Sequence, residues 1–486
     1  MARVTLLNPP FSLWDTADRK FRYLQTATPP LGLLQLTACV RAAGHLPALL
    51  DAVPDQWGVD QSARAVLATE PDYLVICAFT STVVAANRVA AQVKAARPTC
   101  KVLVGGPHVT ALPTRTLRDF PYFDYGGAGE GEEVLIDMLR ELEAEGRLAS
   151  PPQPGVILRD GEEVLFGGTA PLLKDLDDLP MPAWDLLPGG FERYRAPLFG
   201  YRAQPVGTML TSRGCPYPCA FCDGAALGKK YRQQSAEWVR EQAQHLIARF
   251  GVRHVIFYDD LFNLNRRRLY QVCDEFLRHG IKIGWNIDAR VDTVDEESLA
   301  RMKEAGCWLI NYGIESGSQR ILDAMKKQTT PQKVEKVVHL TKAAGIRSKG
   351  LFILGFPGET KETVAETASF VRRVPLDEMN LTIFTPYPGC EIYPIARELG
   401  SFDEDFEKMN GIRPVFVASG WTAEELDDAY GYLLRSFYRR PEIALNFVKM
   451  GWDSPSSVWR LVRSLPGVSR YGVIPTWTEQ NAKSPS

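Results

Sequence analysis

Short apolar runs alternate with helix-periodic stretches along most of the chain, in two blocks. In the first 150 residues, Val4–Leu7, Leu46–Leu50, Tyr73–Cys77 and Val102–Val104, with a weaker run at Phe123–Tyr125, have strand length. Between them, Leu33–Ala43, Ser62–Thr69, Val84–Ala96 and Glu132–Glu145 carry helical spacing. Such alternation predicts an α/β unit, a doubly wound Rossmann-like parallel sheet with helices on both faces. Ligands of such sheets sit in the loops at the carboxyl ends of the strands.

The second block, residues 201–400, repeats the pattern with longer units. Strands are predicted at Val206–Leu210, Val255–Tyr258, Ile283–Ile287, Trp308–Tyr312, Ser348–Leu354 and Leu381–Phe384. Helices are predicted at Ala236–Phe250, Arg266–His279, Glu296–Ala305, Pro331–Ala344 and Lys361–Val371. Six units predict a partial (β/α)6 barrel, with chemistry at the C-terminal strand ends. Residues 151–200 read as a linker: the breaker cluster Pro151-Pro152-Gln153-Pro154-Gly155, a hairpin pattern around Arg159-Asp160-Gly161-Glu162, and an acidic stretch from Asp175 to Pro188. Residues 401–486 form a tail expected to be mainly helical after Thr422, a candidate N-cap. Its Tyr430, Tyr432, Phe437, Tyr438, Arg439, Arg440, Trp452 and Trp459 either pack the tail onto the barrel or close an apolar cavity. The polar end, Thr478–Ser486, is expected to be disordered.

Composition narrows the classes. At 486 residues the chain has room for two or three domains of ~100–200 residues. A formal net charge of -2 predicts no strong field for nucleic acid. No apolar stretch of ~18 residues predicts a membrane span, and the run Met1–Leu7 is too short for a signal peptide. The nine cysteines show no disulfide spacing, which favours reduced thiols and a cytoplasmic location.

Three of those cysteines, Cys215, Cys219 and Cys222, stand in a C-x3-C-x2-C spacing directly after the first strand of the second block. Soft thiolates at close spacing select an iron–sulfur cluster, zinc or copper(I). Zinc normally wants a fourth Cys or His nearby, and the next cysteine is Cys273. Three thiolates on a [4Fe–4S] cluster would leave one iron open.

The segment from Thr211 to Asp223 resembles the signature of radical S-adenosylmethionine (SAM) enzymes. The resemblance implies a [4Fe–4S] cluster on Cys215, Cys219 and Cys222, SAM chelated at the open iron, and Phe221 near the adenine. It also gives meaning to the other strand ends. Asp259 and Asp260 can accept from SAM's amino group, or Asp260 can cap a turn. Arg290 can pair with its carboxylate or form a surface ion pair. Glu315 and Ser316, in Gly313-Ile314-Glu315-Ser316-Gly317-Ser318, resemble the family's ribose or amino-group contact, and Gly355 lies in a Gly–Pro loop similar to the one near the adenine. Cys273 and Cys307 read as buried apolar residues.

The first block, with its loops Asn8-Pro9-Pro10-Phe11, Phe79-Thr80-Ser81-Thr82, Gly105-Gly106-Pro107-His108 and Gly127–Glu132, resembles the cobalamin-binding domain that precedes many radical SAM domains. The implied cobalamin contacts are Asn8, Pro10, Ser81, Thr82, Gly105, Gly106, His108, Gly129 and Glu130. The preferred reading of His108 from the residues alone is a loop residue with a structural hydrogen bond, and of Glu130 and Glu132 helix-cap acids. The family's cobalt-ligating D-x-H-x-x-G motif is missing after the first strand. The whole chain is similar to cobalamin-dependent class B methyltransferases and to anaerobic magnesium-protoporphyrin cyclases.

That resemblance implies reductive cleavage of SAM to a 5′-deoxyadenosyl radical, then methyl transfer from methylcobalamin to an unactivated substrate carbon. The alternatives are ring formation or oxidation without net methylation and, in another class, a non-catalytic cobalamin or iron–sulfur sensor. A methylthiotransferase fits less well, because Cys39, Cys77 and Cys100 make no convincing second cluster site. The implied partners are a small-molecule substrate and an electron donor such as flavodoxin or ferredoxin.

Overall fold

The computed structural model describes residues 1–11, 26–224, 227–443, 445, 446, 457 and 459. The expected C-terminal disorder and Trp452 lie outside them. Among the described residues no helix is long and apolar enough to cross a membrane.

Seven strands form the first sheet: β1 (Arg3–Asn8), β2 (Leu46–Asp51), β3 (Tyr73–Cys77), β4 (Lys101–Gly105), β5 (Tyr125–Gly127), β6 (Val156–Asp160) and β7 (Glu163–Phe166), in the order β2-β1-β3-β4-β5-β6-β7. The first five are parallel. Their side chains are buried on both faces, as in Leu6, Leu7, Leu74 and Ile76, because helices cover both sides. The order reverses between β1 and β3, which opens a crevice at the strand ends. The hairpin β6–β7, placed in the linker by its breaker residues, instead adds two antiparallel strands to this sheet. Val156, Ile157 and Leu158 are buried there, so the hairpin gains a hydrophobic face that a free linker would lack. The breaker cluster marks a turn into the sheet, and the sheet is mixed rather than wholly parallel.

The second sheet has six parallel strands, β8 (Val206–Met209), β11 (His254–Phe257), β12 (Gly284–Ala289), β13 (Cys307–Glu315), β14 (Arg347–Leu354) and β15 (Glu378–Ile383), paired in sequence order. Between β8 and β11 the short strands β9 (Ser212–Arg213) and β10 (Arg232–Gln233) pair antiparallel. The sheet's two edges, β8 and β15, are not paired with each other, so the barrel is open. Polar caps fix where its helices begin. Ser235 accepts from Trp238 N, Asn265 from Arg268 N, and Asp295 and Ser298 form a reciprocal capping box. Thr422 caps the helix Ala423–Tyr438, as its sequence predicts. Tyr438 and Tyr430 of that helix donate to the carbonyls of Met379 (2.6 Å) and Leu381 (3.2 Å) on β15. These tail aromatics therefore pack the helix onto the barrel.

After β15 the chain turns back over the first domain. Phe406, Met409 and Val415 join the core beneath β3 and β4, and Glu407 and Glu404 pair with Arg88 (3.0 Å) and Arg115 (2.5 Å). A short pair, β16 (Gly400–Phe402) and β17 (Phe416–Ala418), frames this segment.

Candidate active site

The cysteine loop leaves β9 through Gly214, whose φ is +87°. A Cβ there would sit 2.4 Å from the Lys230 carbonyl, so the turn admits only glycine. Three hydrogen bonds hold the loop independently of its thiols. Gly214 N donates to Asp260 (3.2 Å), Cys215 N to the Gly228 carbonyl (3.3 Å) and Ala220 N to the Met325 carbonyl (3.0 Å). The three thiols line a cavity of about 280 Å³ at the C-terminal ends of the barrel strands. Among the described residues no three Cys, His, Asp or Glu side chains converge on a single-ion site. The donor set is three soft sulfurs around a space, which fits a cluster with one iron left open.

The same cavity takes Phe221, Asp260 and Arg290. Arg290 is buried. It donates to Asp292 (2.8 Å), to the Lys327 carbonyl and to the Cys219 sulfur (3.8 Å), and lies 3.8 Å over the Tyr217 ring. Its Nε is buried without a hydrogen-bond partner. The guanidinium thus faces the cavity as a fixed cation.

Three other sequence candidates stand behind this wall. Asp259 is fully buried and accepts from Thr211 N (2.6 Å), Thr211 Oγ1 (2.7 Å) and Ser212 Oγ (2.6 Å), so it braces the strand before the cysteines rather than facing the cavity. Ser316 shares a hydrogen bond with Thr367 (3.1 Å) and accepts from Ser318 N. Gly355 turns at φ +85° beneath Leu426 and donates to Glu359 (2.6 Å). Glu315 acts at one remove. A register shift between Gly313 and Glu315 turns it aside, and it pairs with Lys327 Nζ at 2.6 Å. It is Lys327 that lines the cavity, with its ammonium 5.6 Å from the centre of the Phe221 ring.

Sequence reading missed Lys327, Asp288 and Asn311, all on the cavity wall. Strand alternation carries a signal for two of them. Asp288 shares parity with Arg290 at the end of β12, and Asn311 shares it with Gly313 on β13. Asn311 donates to Asp288 at 2.7 Å. Burial pushes the Asp288 carboxyl up to about 6, with Asp259 and Asp260 adding to the rise and Asn311 and Lys349 opposing it. A folded-state pKa above the unfolded 3.8 means that the native protein holds this proton longer. Stability therefore falls as pH rises from about 4 to about 6 and is level above that. Asp288→Asn is expected to remove that fall, a difference of roughly 3 kcal/mol. Urea unfolding of both proteins across this range measures it; parallel curves would refute the assignment.

At the strand ends of the first sheet lies a larger cavity of about 600 Å³. Its rim includes Asn8, Gly105, Gly106, Gly127 and Gly129 from the first domain and Leu210, Arg213, Leu227 and Tyr258 from the barrel. At Gly106, φ is +105° and a Cβ would meet the Ala78 carbonyl at 2.8 Å, so bare backbone forms this wall. The Asn8 amide is held by Asp51 (2.9 Å), which also accepts from Tyr194 (3.0 Å). A mostly apolar crevice walled by glycine backbone suits a large flat group such as a corrin.

Pro10, Ser81 and Thr82 do not line this cavity; Thr82 closes its own turn through Phe79 (3.0 Å). His108 does not line it either. The short helix Pro107–Ala111 carries it into the core, where it meets Thr80 (3.2 Å) and the Phe406 ring (4.8 Å between centroids). Burial lowers its pKa to about 4, so the ring is neutral near pH 7. His108→Phe is expected to leave cobalamin affinity within about twofold, read by equilibrium dialysis. A tenfold loss would restore His108 as a contact.

Glu130 lines the large cavity, but its carboxylate is committed. It accepts from Arg213 (2.9 Å), Arg232 (2.7 Å) and Leu173 N (2.8 Å), while Arg213 also donates to Glu132 (2.6 Å). Arg213 and Arg232 belong to β9 and β10, the strands flanking the cysteine loop. Glu130 therefore ties the first domain to that loop and has no oxygen left for a ligand's donor beyond shared lone pairs.

Comparison with known proteins finds two family matches in the chain. Residues 22–139 match the B12 binding domain and residues 209–371 the radical SAM superfamily. An uncharacterized methyltransferase, PH0819, of Pyrococcus horikoshii is 34% identical over 450 residues, covering 91% of this chain and 94% of that protein. The anaerobic magnesium-protoporphyrin IX monomethyl ester cyclase of Cereibacter sphaeroides is 28% identical over 420 residues, 85% of this chain and 67% of that one. Among solved structures, the cobalamin-dependent SAM radical enzyme OxsB with aqua-cobalamin bound shares the fold, at TM-score 0.70 and 18% identity, covering 96% of this chain and 72% of its own.

Proposed function

This chain belongs to the B12-binding radical SAM enzyme family, and on that premise we propose that it methylates a carbon of a small-molecule substrate. The family's cofactors are a [4Fe–4S] cluster, SAM and cobalamin. The observation that carries the reading is the pairing of two cavities: a glycine-walled one at the first sheet's strand ends and a three-thiol one at the barrel's. When bound, the cluster supplies the electron that cleaves SAM, and cobalamin supplies the methyl carrier.

The chain's own residues bind, orient and shield. Cys215, Cys219 and Cys222 would hold the cluster. Arg290, fixed by Asp292 and Tyr217, offers a cation to the SAM carboxylate, and Asp260 offers an acceptor to its amino group. Asp288 and Asn311 provide further polar contacts on the same wall. The backbone at Gly105, Gly106 and Gly129 lets a corrin approach closely. Phe221, Leu227 and Leu351 keep water from the reacting groups. Ring closure is the second reading, supported by the similarity to the cyclase.

One experiment separates the two. The protein is purified anaerobically, reconstituted with iron, sulfide and hydroxocobalamin, supplied with SAM and reductant, and analysed by mass spectrometry. Bound cobalamin with both 5′-deoxyadenosine and S-adenosylhomocysteine supports methyl transfer. 5′-Deoxyadenosine with cobalamin but no S-adenosylhomocysteine favours cyclisation, and neither product nor cobalamin would sink both readings.

A further inference from the structure

Among the described residues, the two cavities are built from separate sets of side chains with one exception: Leu227 lines both. Its backbone is held from two directions. The Leu227 carbonyl accepts from Arg232 Nη2 at 3.1 Å, and the same guanidinium reaches Glu130 (2.7 Å) and the Leu173 carbonyl (3.0 Å). One residue on, the Gly228 carbonyl accepts from Cys215 N (3.3 Å). Position 227 is thus tied at once to the first domain and to the cysteine loop. The side chain is half-buried and aliphatic, so it fills volume between the cavities and offers no polar group to either ligand.

Resting on the reading of the two cavities as cofactor sites, we propose that Leu227 is the wall between them, a positioning residue whose bulk sets the clearance between the two bound groups and so the bulk of the substrate group presented there. Among the described residues, this is the side chain that a group passed between the two sites would travel beside. A larger residue at 227 encroaches on both sites, and a smaller one joins them. Neither effect is expected at residues that line a single cavity, such as Leu36 of the larger and Leu351 of the smaller.

The test uses the full chain, reconstituted anaerobically, with hydroxocobalamin and SAM as probes. Leu227→Trp is expected to weaken both by tenfold or more, while Leu36→Trp weakens hydroxocobalamin alone and Leu351→Trp weakens SAM alone. Leu227→Ala is expected to keep both affinities within about threefold, yet to change the shift that SAM causes in the visible spectrum of bound cobalamin. Thermal melting and cluster absorbance check that each variant is folded, and Leu227→Phe replaces the Trp variant if that one is not. Loss of only one affinity in Leu227→Trp or Leu227→Phe, or a SAM-induced shift unchanged in Leu227→Ala, overturns the proposal while leaving the cofactor assignment intact. A wild-type protein that binds neither probe overturns the assignment itself, and the proposal with it.

Discussion

Cys219→Ala is expected to abolish the visible absorbance of the reconstituted cluster and to take SAM cleavage below detection. The loss should be specific. The loop is held by the bonds of Gly214 to Asp260 and of Ala220 to Met325, neither of which uses a thiol. The variant should therefore fold with a melting transition within a few degrees of wild type. Cys273 provides the contrast. It is fully buried in the helix Arg266–Arg278, well away from the small cavity's lining. Cys273→Ala should keep iron and sulfide content unchanged and cost about 1 kcal/mol, the scale of a small core truncation. Iron, sulfide and 5′-deoxyadenosine are measured on both proteins. A Cys219→Ala variant that keeps its cluster and cleaves SAM would remove the basis of the proposed activity.

The second large effect is on assembly. Glu130→Ala is expected to destabilise the protein by about 3–5 kcal/mol, because it strands two buried arginines with part of their charge unpaired. Glu130, Arg213 and Arg232 are 2%, 8% and 6% exposed, so solvent cannot take over the role of the carboxylate. Burial alone would raise the pKa of Glu130, but the hydrogen bond from Arg232 and the charge of Arg213 outweigh it and hold the carboxyl below its ordinary value. With the folded pKa depressed, the contribution is present above the unfolded pKa of 4.5 and is lost as pH falls through the folded one. Glu132→Ala should cost less, since Arg213 keeps Glu130. Urea unfolding of both variants beside wild type measures the losses; a Glu130→Ala midpoint equal to that of wild type would show that the network contributes no more than a surface pair. Because the arginines flank the cysteine loop, Glu130→Ala should also lower cluster yield, whereas Glu130→Gln, which keeps an acceptor, should retain most of it.

Both sheets were legible because strand length and helix spacing are local properties, and the three thiols because their spacing is local too. The side-chain partners were not. Asp259 and Asp260 are adjacent and chemically identical, yet successive residues point to opposite faces, and only packing against Thr211 and Ser212 decides which one turns inward. Glu315 lies in a run that invites a ligand contact, but the register shift beside it and a lysine from twelve residues on capture the carboxylate. Lys327 itself stands between Lys326 and Gln328, both at positive φ, in a turn without periodicity to announce it. The packing around His108 was not legible, because the aromatic that packs on it, Phe406, comes from the far end of the chain. Proline and glycine mark the start of the β6–β7 hairpin as faithfully as they would mark a linker, so its docking onto the first sheet follows from burial rather than from any turn signal.

The segment that returns after β15 to rest on the first domain makes the molecule a buckle closed on both sides. The Glu130 arginines fasten one side, and Glu404, Glu407 and the Phe406 core fasten the other. Swinging the halves apart would break both fastenings together. An exchange route that leaves both fastenings intact would pass the rim of the large crevice, where Phe79 is half-exposed.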